Sequence, residues 1–315
     1  MKPLSCTGVV LIAALVLIAP AARAAEPETI ALPGSHVFPE SITATADGTL
    51  IIGSAGHGTL YRAAPDAAAA RLWIEPEASG TRSVFGVVAD DARNALWACT
   101  NAPLAGDGPG PALVRFALDT GAVTGRWPLT GETPICNDIA LAADGAVFVT
   151  DTLAGRILRL PAGGDALEPW YENKEALFGV DGIAFDADGR LLLTNVIGNT
   201  LLALEVTAGR PGALATLEPS IPLGRPDSLR PIGDGRFVMT ENEAGRLTTV
   251  RFTGRRAEME VLAEGDVGVS GAVFARGALW SVNGMLHYTR EPELKGKDPG
   301  PAVIRRAPLT DAADQ

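Results

Sequence analysis

The stretch Asn137-Asp-Ile-Ala-Leu-Ala-Ala-Asp-Gly145 recurs in altered form along the chain. In the four clearest copies an Asp-Gly turn stands at a fixed distance from the first residue, and a short apolar run follows the turn. Two looser copies, in the second and last places, complete the series. The copies begin at Glu40, Phe85, Asn137, Asp181, Asp227 and Ser270. A spacing of roughly 45 residues is typical of one four-stranded propeller blade per repeat.

The remainder of each repeat also favours β-structure. Residues 156–160 and 246–252 alternate between apolar and polar, which is typical of half-buried strands, and no helical periodicity of useful length follows the first 24 residues. The sequence therefore predicts an all-β protein, a six-bladed β-propeller whose four-stranded blades surround a central channel. Thr29–Leu32 is left over before the first blade. We expect it to pair with the strand near Val303 and Ile304, so that the chain ends close the ring.

The first 24 residues have the features of a signal peptide. Lys2 precedes an apolar stretch at residues 9–18, and the small residues up to Ala24 suit cleavage near that position. The apolar stretch is too short to span a bilayer, so we expect a periplasmic or secreted protein with no membrane insertion. Residues 25–315 contain no linker and are predicted to form a single propeller domain.

The chain is acidic, with 26 basic and 37 acidic residues and a formal net charge of −11. Such a surface repels nucleic acid and anionic lipid, and no run rich in Lys or Arg opposes this. We therefore expect a small molecule as the partner. The sequence identifies no oligomeric state, and a monomer is assumed.

Two cysteines follow the predicted signal peptide. Cys99 ends the second strand of blade two, and Cys136 precedes Asn137 on the inner strand of blade three, so both should lie near the same face of the disc. An oxidising periplasm would allow them to form a disulfide. The alternative is two separate buried thiols, since free cysteine packs well in protein cores.

The first residue of each copy should face the channel, because the first strand of every propeller blade lines the central axis. Three carboxylates and one amide then meet in a narrow space: Glu40, Asp181, Asp227 and Asn137. Oxygen ligands favour a hard cation, so the sequence predicts Ca²⁺ or another hard divalent cation, and the absence of His and Cys argues against zinc or copper. The alternative is that these residues only cap strands or bond to neighbouring blades.

The stretches around these four residues resemble a known family. They are Phe38-Pro-Glu-Ser41, Cys136-Asn-Asp-Ile139, Val180-Asp-Gly-Ile-Ala-Phe185 and Arg225-Pro-Asp-Ser-Leu229. The pattern resembles the calcium-dependent six-bladed propellers that include gluconolactonase, regucalcin, diisopropyl fluorophosphatase and, more distantly, the paraoxonases. The resemblance implies that Glu40, Asn137, Asp181 and Asp227 bind calcium. It further implies that Asp227 acts as the general base or nucleophile.

Three positions depart from that family's pattern, and further residues are candidates for substrate contact. Asp181 stands where the family usually has Asn, Phe85 replaces a paraoxonase-like histidine, and Ile135 replaces an arginine of the sugar-lactone members. The candidates for substrate contact are one histidine, two arginines and two members of the ring. The histidine is His57, in the turn Gly53-Ser-Ala-Gly-His-Gly58, and the other four are Arg82, Arg225, Phe85 and Ser270. An ordinary surface role is the alternative for the histidine and both arginines.

Two classes of function follow from this reading. The first is a Ca²⁺-dependent hydrolase of a lactone or related ester, in which the cation polarises the carbonyl and Asp227 activates water or attacks directly. The second is a non-catalytic propeller that binds a small molecule or protein and holds calcium as a structural ion in the channel. Propellers serve both uses, so the fold does not decide between them.

Overall fold

The computed structural model describes residues 28–64, 66–103 and 108–308, so the predicted signal peptide and its cleavage site lie outside the described residues. The described chain folds as the predicted six-bladed β-propeller, with six sheets in which the four main strands pair antiparallel. A short strand, β1 (Thr29–Leu32), precedes the first blade. Within each of the first five blades, successive strands along the chain run from the inner strand, which lines the channel, to the outer strand.

The first three blades follow the predicted repeat. Blade one contains β2 (Pro39–Ala44), β3 (Leu50–Ser54), β4 (Leu60–Ala63) and β5 (Arg71–Ile74). Blade two contains β6 (Ser83–Asp90), β7 (Ala95–Asn101), β8 (Ala112–Ala117) and β9 (Val123–Pro128). Blade three contains β10 (Cys136–Leu141), β11 (Val147–Asp151), β12 (Arg156–Leu160) and β13 (Glu168–Glu172).

Blade five carries a strand beyond the predicted four. Blade four contains β14 (Val180–Phe185), β15 (Leu191–Asn195), β16 (Thr200–Thr207) and β17 (Arg210–Thr216). A two-residue strand, β18 (Glu218–Pro219), then pairs in parallel with the outer strand of blade five. That blade contains β19 (Pro226–Gly233), β20 (Arg236–Glu241), β21 (Arg246–Thr253) and β22 (Arg256–Ala263).

Blade six is built from both ends of the chain. Its inner strands are β23 (Val269–Ala275) and β24 (Ala278–Asn283), followed by β25 (Ala302–Pro308). β1 supplies the fourth strand by pairing antiparallel with β25, so that Ile30 lies opposite Ile304 and Ala31 opposite Val303. The predicted closure of the ring is confirmed. It covers one edge of each terminal strand.

The described core is divided into six clusters, and each lies between two neighbouring blades. Phe148 of blade three packs edge-to-face on Phe185 of blade four with ring centroids 5.3 Å apart. The turns between the inner two strands explain the recurring Asp-Gly pair. Gly145 has φ +91°, a region that favours glycine, and Asp144 Oδ1 accepts a hydrogen bond from the backbone N–H of Ala146. The repeat is therefore visible in sequence because turn and core both impose it.

Across the described chain, three one-turn α-helices lie in the connections between strands, besides a 3-10 turn at Asp91–Arg93, and the sequence pattern predicted none of them. The α-helices are α1 (Pro76–Ser79), α2 (Lys174–Leu177) and α3 (His287–Arg290). All three belong to connections at the end of the disc where the inner strands begin. Among the described residues, no helix combines the length and apolar character needed to cross a membrane.

Candidate functional site

Every inner strand carries a β-bulge near its beginning. The register against the second strand shifts between Pro39 and Ser41 in blade one and between Cys136 and Ile139 in blade three, and the other four inner strands shift at the equivalent place. A bulge adds a residue to one strand and turns side chains out of the regular alternation. The predicted ring residues lie within these bulges. The bulges explain how residues on strand ends come to point at one another across the channel.

Five of the six predicted ring residues line one cavity. They are Glu40, Asn137, Asp181, Asp227 and Ser270, and each is at most 7% exposed. The space between these side chains is about 10 Å³, which suits one ion or one water molecule rather than a substrate. Any larger ligand must therefore bind above the ring.

Phe85 is a correction to the predicted ring. In blade two the neighbouring residue, Gly86, lines the cavity instead. The half-buried ring of Phe85 packs against the apolar cluster between blades two and three. A side chain at Gly86 would meet the carbonyl oxygen of Asn137, since a Cβ built there lies 2.4 Å from that atom. Blade two therefore supplies no ligand atom from a side chain at this level of the channel.

Burial and mutual repulsion raise the pKa values of the ring carboxylates. The pKa of Asp181 rises to about 7, mainly through burial and then through the charge of Asp138. Burial also raises the pKa of Glu40 well above its usual range, and the charge of Asp181 raises it further. The pKa of Asp227 is raised by the same two causes in the same order. A cation among these groups would relieve the repulsion, so its binding should be coupled to proton release.

The hydrogen bonds of the ring leave oxygen atoms for a cation. Asn137 donates from Nδ2 to Thr152 Oγ1 at 2.8 Å, so its Oδ1 is the atom left for a ligand. Asp227 Oδ2 accepts a longer bond, 3.4 Å, from Nδ2 of Asn242. The donor set is carboxylate and amide oxygen, which is the chemistry that Ca²⁺ prefers.

The ring does not have the spacing of a preassembled metal site. Within the parts of the chain that the structure describes, no three acidic, His or Cys side chains are grouped closely enough to hold a metal ion as they stand. Charged carboxylates without a counter-ion repel one another, which favours such a spacing. Donor chemistry, burial and cavity size fit a hard divalent cation. Coordination would require the side chains to turn inward.

A buried ion pair, not predicted from the sequence, crosses the channel beside the ring. Arg230 donates from Nη2 to Asp138 Oδ1 at 2.5 Å and from Nη1 to Asp138 Oδ2 at 2.7 Å. The backbone N–H of Ile183 donates to the same carboxylate at 3.1 Å, so the pair joins blades three, four and five. Both residues line the cavity. The signal in the sequence was Arg230 itself, an arginine within an inner strand, because a buried charge needs a partner of opposite charge.

The other substrate candidates lie away from the cavity lining. His57 is half-buried, with Nδ1 2.9 Å from Thr59 Oγ1, and burial lowers its pKa. Arg82 donates from Nη1 to the carbonyl of Thr81 at 3.0 Å. Arg225 is half-exposed and pairs with Glu243 at 2.6 Å. Each side chain is engaged locally, and none reaches the ring carboxylates.

Cys99 and Cys136 form a disulfide in the structure, with their Cα atoms 5.0 Å apart. The bond joins the second strand of blade two to the inner strand of blade three. Both residues are fully buried. Cys136 immediately precedes Asn137, so the disulfide lies next to the ring.

Comparisons with known proteins bear on the fold. No family model matches the chain, and no curated protein matches it. Among solved structures, a gluconolactonase from Xanthomonas campestris superimposes with a TM-score of 0.63 at 16% identity, covering 91% of this chain and 99% of that one. Virginiamycin B lyase from Staphylococcus aureus gives 0.60 at 16% identity, covering 90% and 98%. The major allergen Mala s 1 of Malassezia sympodialis gives 0.65 at 13% identity, covering 92% and 100%. At these identities the similarity shows a shared propeller fold.

Proposed function

We propose that this protein is an enzyme, a Ca²⁺-dependent hydrolase of a lactone or related ester. One observation carries the proposal: three buried carboxylates and an amide oxygen surround a cavity of ionic size at the end of the channel. Glu40, Asn137, Asp181 and Asp227 would hold the cation. The gluconolactonase among the structural neighbours is consistent with a lactone as the substrate class.

The cation, when bound, would polarise the carbonyl of a substrate that lies above the ring. Asp227 would accept a proton from the attacking water. In the metal-free ring, burial and the neighbouring carboxylates raise the pKa of its carboxyl group, which favours proton uptake by this group. Asn242 donates to Oδ2 of this carboxylate and would hold its orientation. The Asp138–Arg230 pair would keep one acid of the cluster neutralised, so that it does not compete for the cation.

A second function is favoured by a different observation. The cavity has room for an ion only, and Arg230 and Asp138 occupy the channel beside it. A structural ion in a non-catalytic propeller that binds a small molecule or protein would need no more space than this. The two functions therefore differ in whether chemistry takes place above the ion.

The test is a panel of aldonolactones, acyl lactones and aryl esters, assayed with Ca²⁺ and after chelation. Hydrolysis that requires Ca²⁺ and is lost in Asp227→Asn supports the hydrolase. Ca²⁺ binding by calorimetry without hydrolysis of any substrate supports the structural ion. If no Ca²⁺ is bound at all, both versions of the metal site are wrong.

The protein is further proposed to be periplasmic or secreted, after cleavage near Ala24. An intact disulfide suits an oxidising compartment, which supports this proposal. Mass spectrometry of the exported protein would show the mature N-terminus. A full-length chain with Met1 retained would contradict cleavage.

A further inference from the structure

Three threonines occupy the same position on the second strand of blades three, four and five. They are Thr150, Thr194 and Thr240, and all are fully buried. Each hydroxyl accepts a hydrogen bond from a backbone N–H in the bulge of its own blade, at 2.7 to 3.0 Å. The three donors are Asp138, Gly182 and Ser228. The threonines therefore fix the bulges that form the ring.

The same hydroxyls also bond forward to the next blade. Thr150 donates to the carbonyl oxygen of Asp181 at 2.8 Å, and Thr240 donates to that of Ser270 at 3.0 Å. Thr194 donates to the carbonyl oxygen of Asp227. Each acceptor is a ring residue. One side chain per blade thus couples the backbone of two neighbouring bulges.

Blade two has Cys99 at this position. Thr150 immediately precedes Asp151, which pairs with Cys136 before the bulge of blade three. Cys99 immediately precedes Thr100, which pairs with Val84 before the bulge of blade two. The bond from Cys99 to Cys136 therefore runs forward to the next blade, as the threonine bonds do, and reaches the residue before Asn137.

No neighbouring hydroxyl replaces the missing threonine. The hydroxyl of Thr100 is buried and has no hydrogen-bond partner among the described residues. Asn101 bonds to the backbone of Cys136 in both directions, accepting from its N–H at 3.0 Å and donating to its carbonyl at 2.8 Å. Those bonds hold the backbone of Cys136, whereas the disulfide holds its side chain. Within the described parts of the chain, the disulfide is the bond that joins the threonine position of blade two to blade three.

We infer that the Cys99–Cys136 disulfide is a positioning bond for Asn137, equivalent to the threonine hydrogen bonds that position Asp181 and Asp227. Its role is to hold the amide oxygen of blade three at the height of the carboxylates, so that a hard divalent cation meets all four ligands. This inference rests on the proposed cation site. It adds Cys99, Cys136 and the three threonines to the residues on which cation affinity depends.

The test uses the protein's own repeat. Cys99→Ala with Cys136→Val removes the link, because blade four has Val180 where blade three has Cys136. Cys99→Thr with Cys136→Val copies the link between blades three and four, where Thr150 bonds to Asp181 and Val180 precedes it. Ca²⁺ affinity, measured by calorimetry, should fall about tenfold in the first variant, which corresponds to ~1.4 kcal/mol. It should return to within about threefold of the wild type in the second variant.

A matched control separates positioning from general stability. Ile304→Val weakens the buried pairing of β1 with β25, far from the bulges, and should lower the melting temperature without changing Ca²⁺ affinity. If the alanine variant does not fold, Thr150→Val and Thr150→Ser make the same comparison at Asp181 with the disulfide intact; valine should weaken Ca²⁺ binding and serine should retain it.

Three outcomes would overturn the inference. The first is wild-type Ca²⁺ affinity in Cys99→Ala with Cys136→Val. The second is equally weak Ca²⁺ binding by that variant and by Cys99→Thr with Cys136→Val. The third is equal Ca²⁺ affinity of Thr150→Val and Thr150→Ser. If the wild-type protein binds no Ca²⁺, the proposed function fails first and the positioning role fails with it. If the wild type binds Ca²⁺ normally and only the variants disagree with expectation, the positioning role alone is wrong.

Discussion

Replacing Asp181 by Asn should change how the stability of the metal-free protein depends on pH. Burial and the charge of Asp138 raise the pKa of Asp181 from 3.8 to about 7. A carboxyl group with a higher pKa in the folded state binds more protons when folded. The stability of the metal-free wild type should therefore fall as the pH rises from about 4 to about 7.

The loss of stability can be calculated from the pH range over which Asp181 loses its proton. Between pH 5 and pH 8, stability falls over the roughly two pH units that lie below the folded-state pKa of Asp181, and this is a loss of about 3 kcal/mol. With an unfolding entropy of about 2 cal/mol/K per residue over roughly 280 residues, this corresponds to about 5 °C in melting temperature. Asp181→Asn removes the titrating group. Its metal-free melting temperature should exceed that of the wild type by about this amount at pH 8 and by little at pH 5.

The assay is thermal unfolding with a chelator present, at intervals from pH 5 to pH 8. Asp188→Asn is the matched control, because Asp188 is an exposed carboxylate on the same blade, and its curve should parallel the wild type. Saturating Ca²⁺ should remove the wild-type decline, since the cation binds the deprotonated ring. Parallel curves for the wild type and Asp181→Asn would refute the reasoning.

Four further outcomes are expected. Asp227→Asn should lower turnover by about 10²–10⁴ while calorimetry still detects Ca²⁺, because the amide keeps an oxygen ligand but is no base; equal turnover would exclude this residue as the base. Glu40→Ala should abolish the rise in melting temperature on adding Ca²⁺, and a retained rise would remove it from the ligand set. Arg230→Gln should destabilise the protein by about 3–5 kcal/mol in chemical denaturation, because Asp138 is left buried and unpaired; adding Asp138→Asn should recover part of that loss, and no recovery would argue against the pair as its cause. His57→Ala should leave turnover within about twofold, since that ring bonds within its own turn, whereas a collapse in turnover would point to a histidine mechanism.

The fold could be predicted because local chemistry and global architecture impose the same repeat. The Asp-Gly turns are specified by a backbone that favours glycine and an Asp that bonds to the following N–H, as at Asp144 and Gly145. The position of the ring followed from the beginning of each inner strand. The pairing of Thr29–Leu32 with the last strand followed from a repeat that lacked its fourth strand.

The details of the site could not be predicted in the same way. A period locates a strand but does not reveal a bulge, and the bulge decides whether Phe85 or Gly86 faces the cavity. The pairing of Arg230 with Asp138 joins residues 92 positions apart, in blades that meet only across the channel. The sequence left the disulfide and two free thiols as alternatives, since the choice depends on a distance between blades.

The pairing of β1 with β25 determines when blade six can be completed during synthesis. β1 precedes all six blades along the chain, but its partner is the last strand of the propeller, so blade six is incomplete until β25 has been synthesised. Until then β1 and β24 each lack their neighbour, and unpaired edges can join other chains. A nascent or truncated chain that ends before Ala302 therefore leaves β1 and the outer edge of β24 unpaired. In the folded protein, β25 covers both of these edges at once, because it lies between β24 and β1.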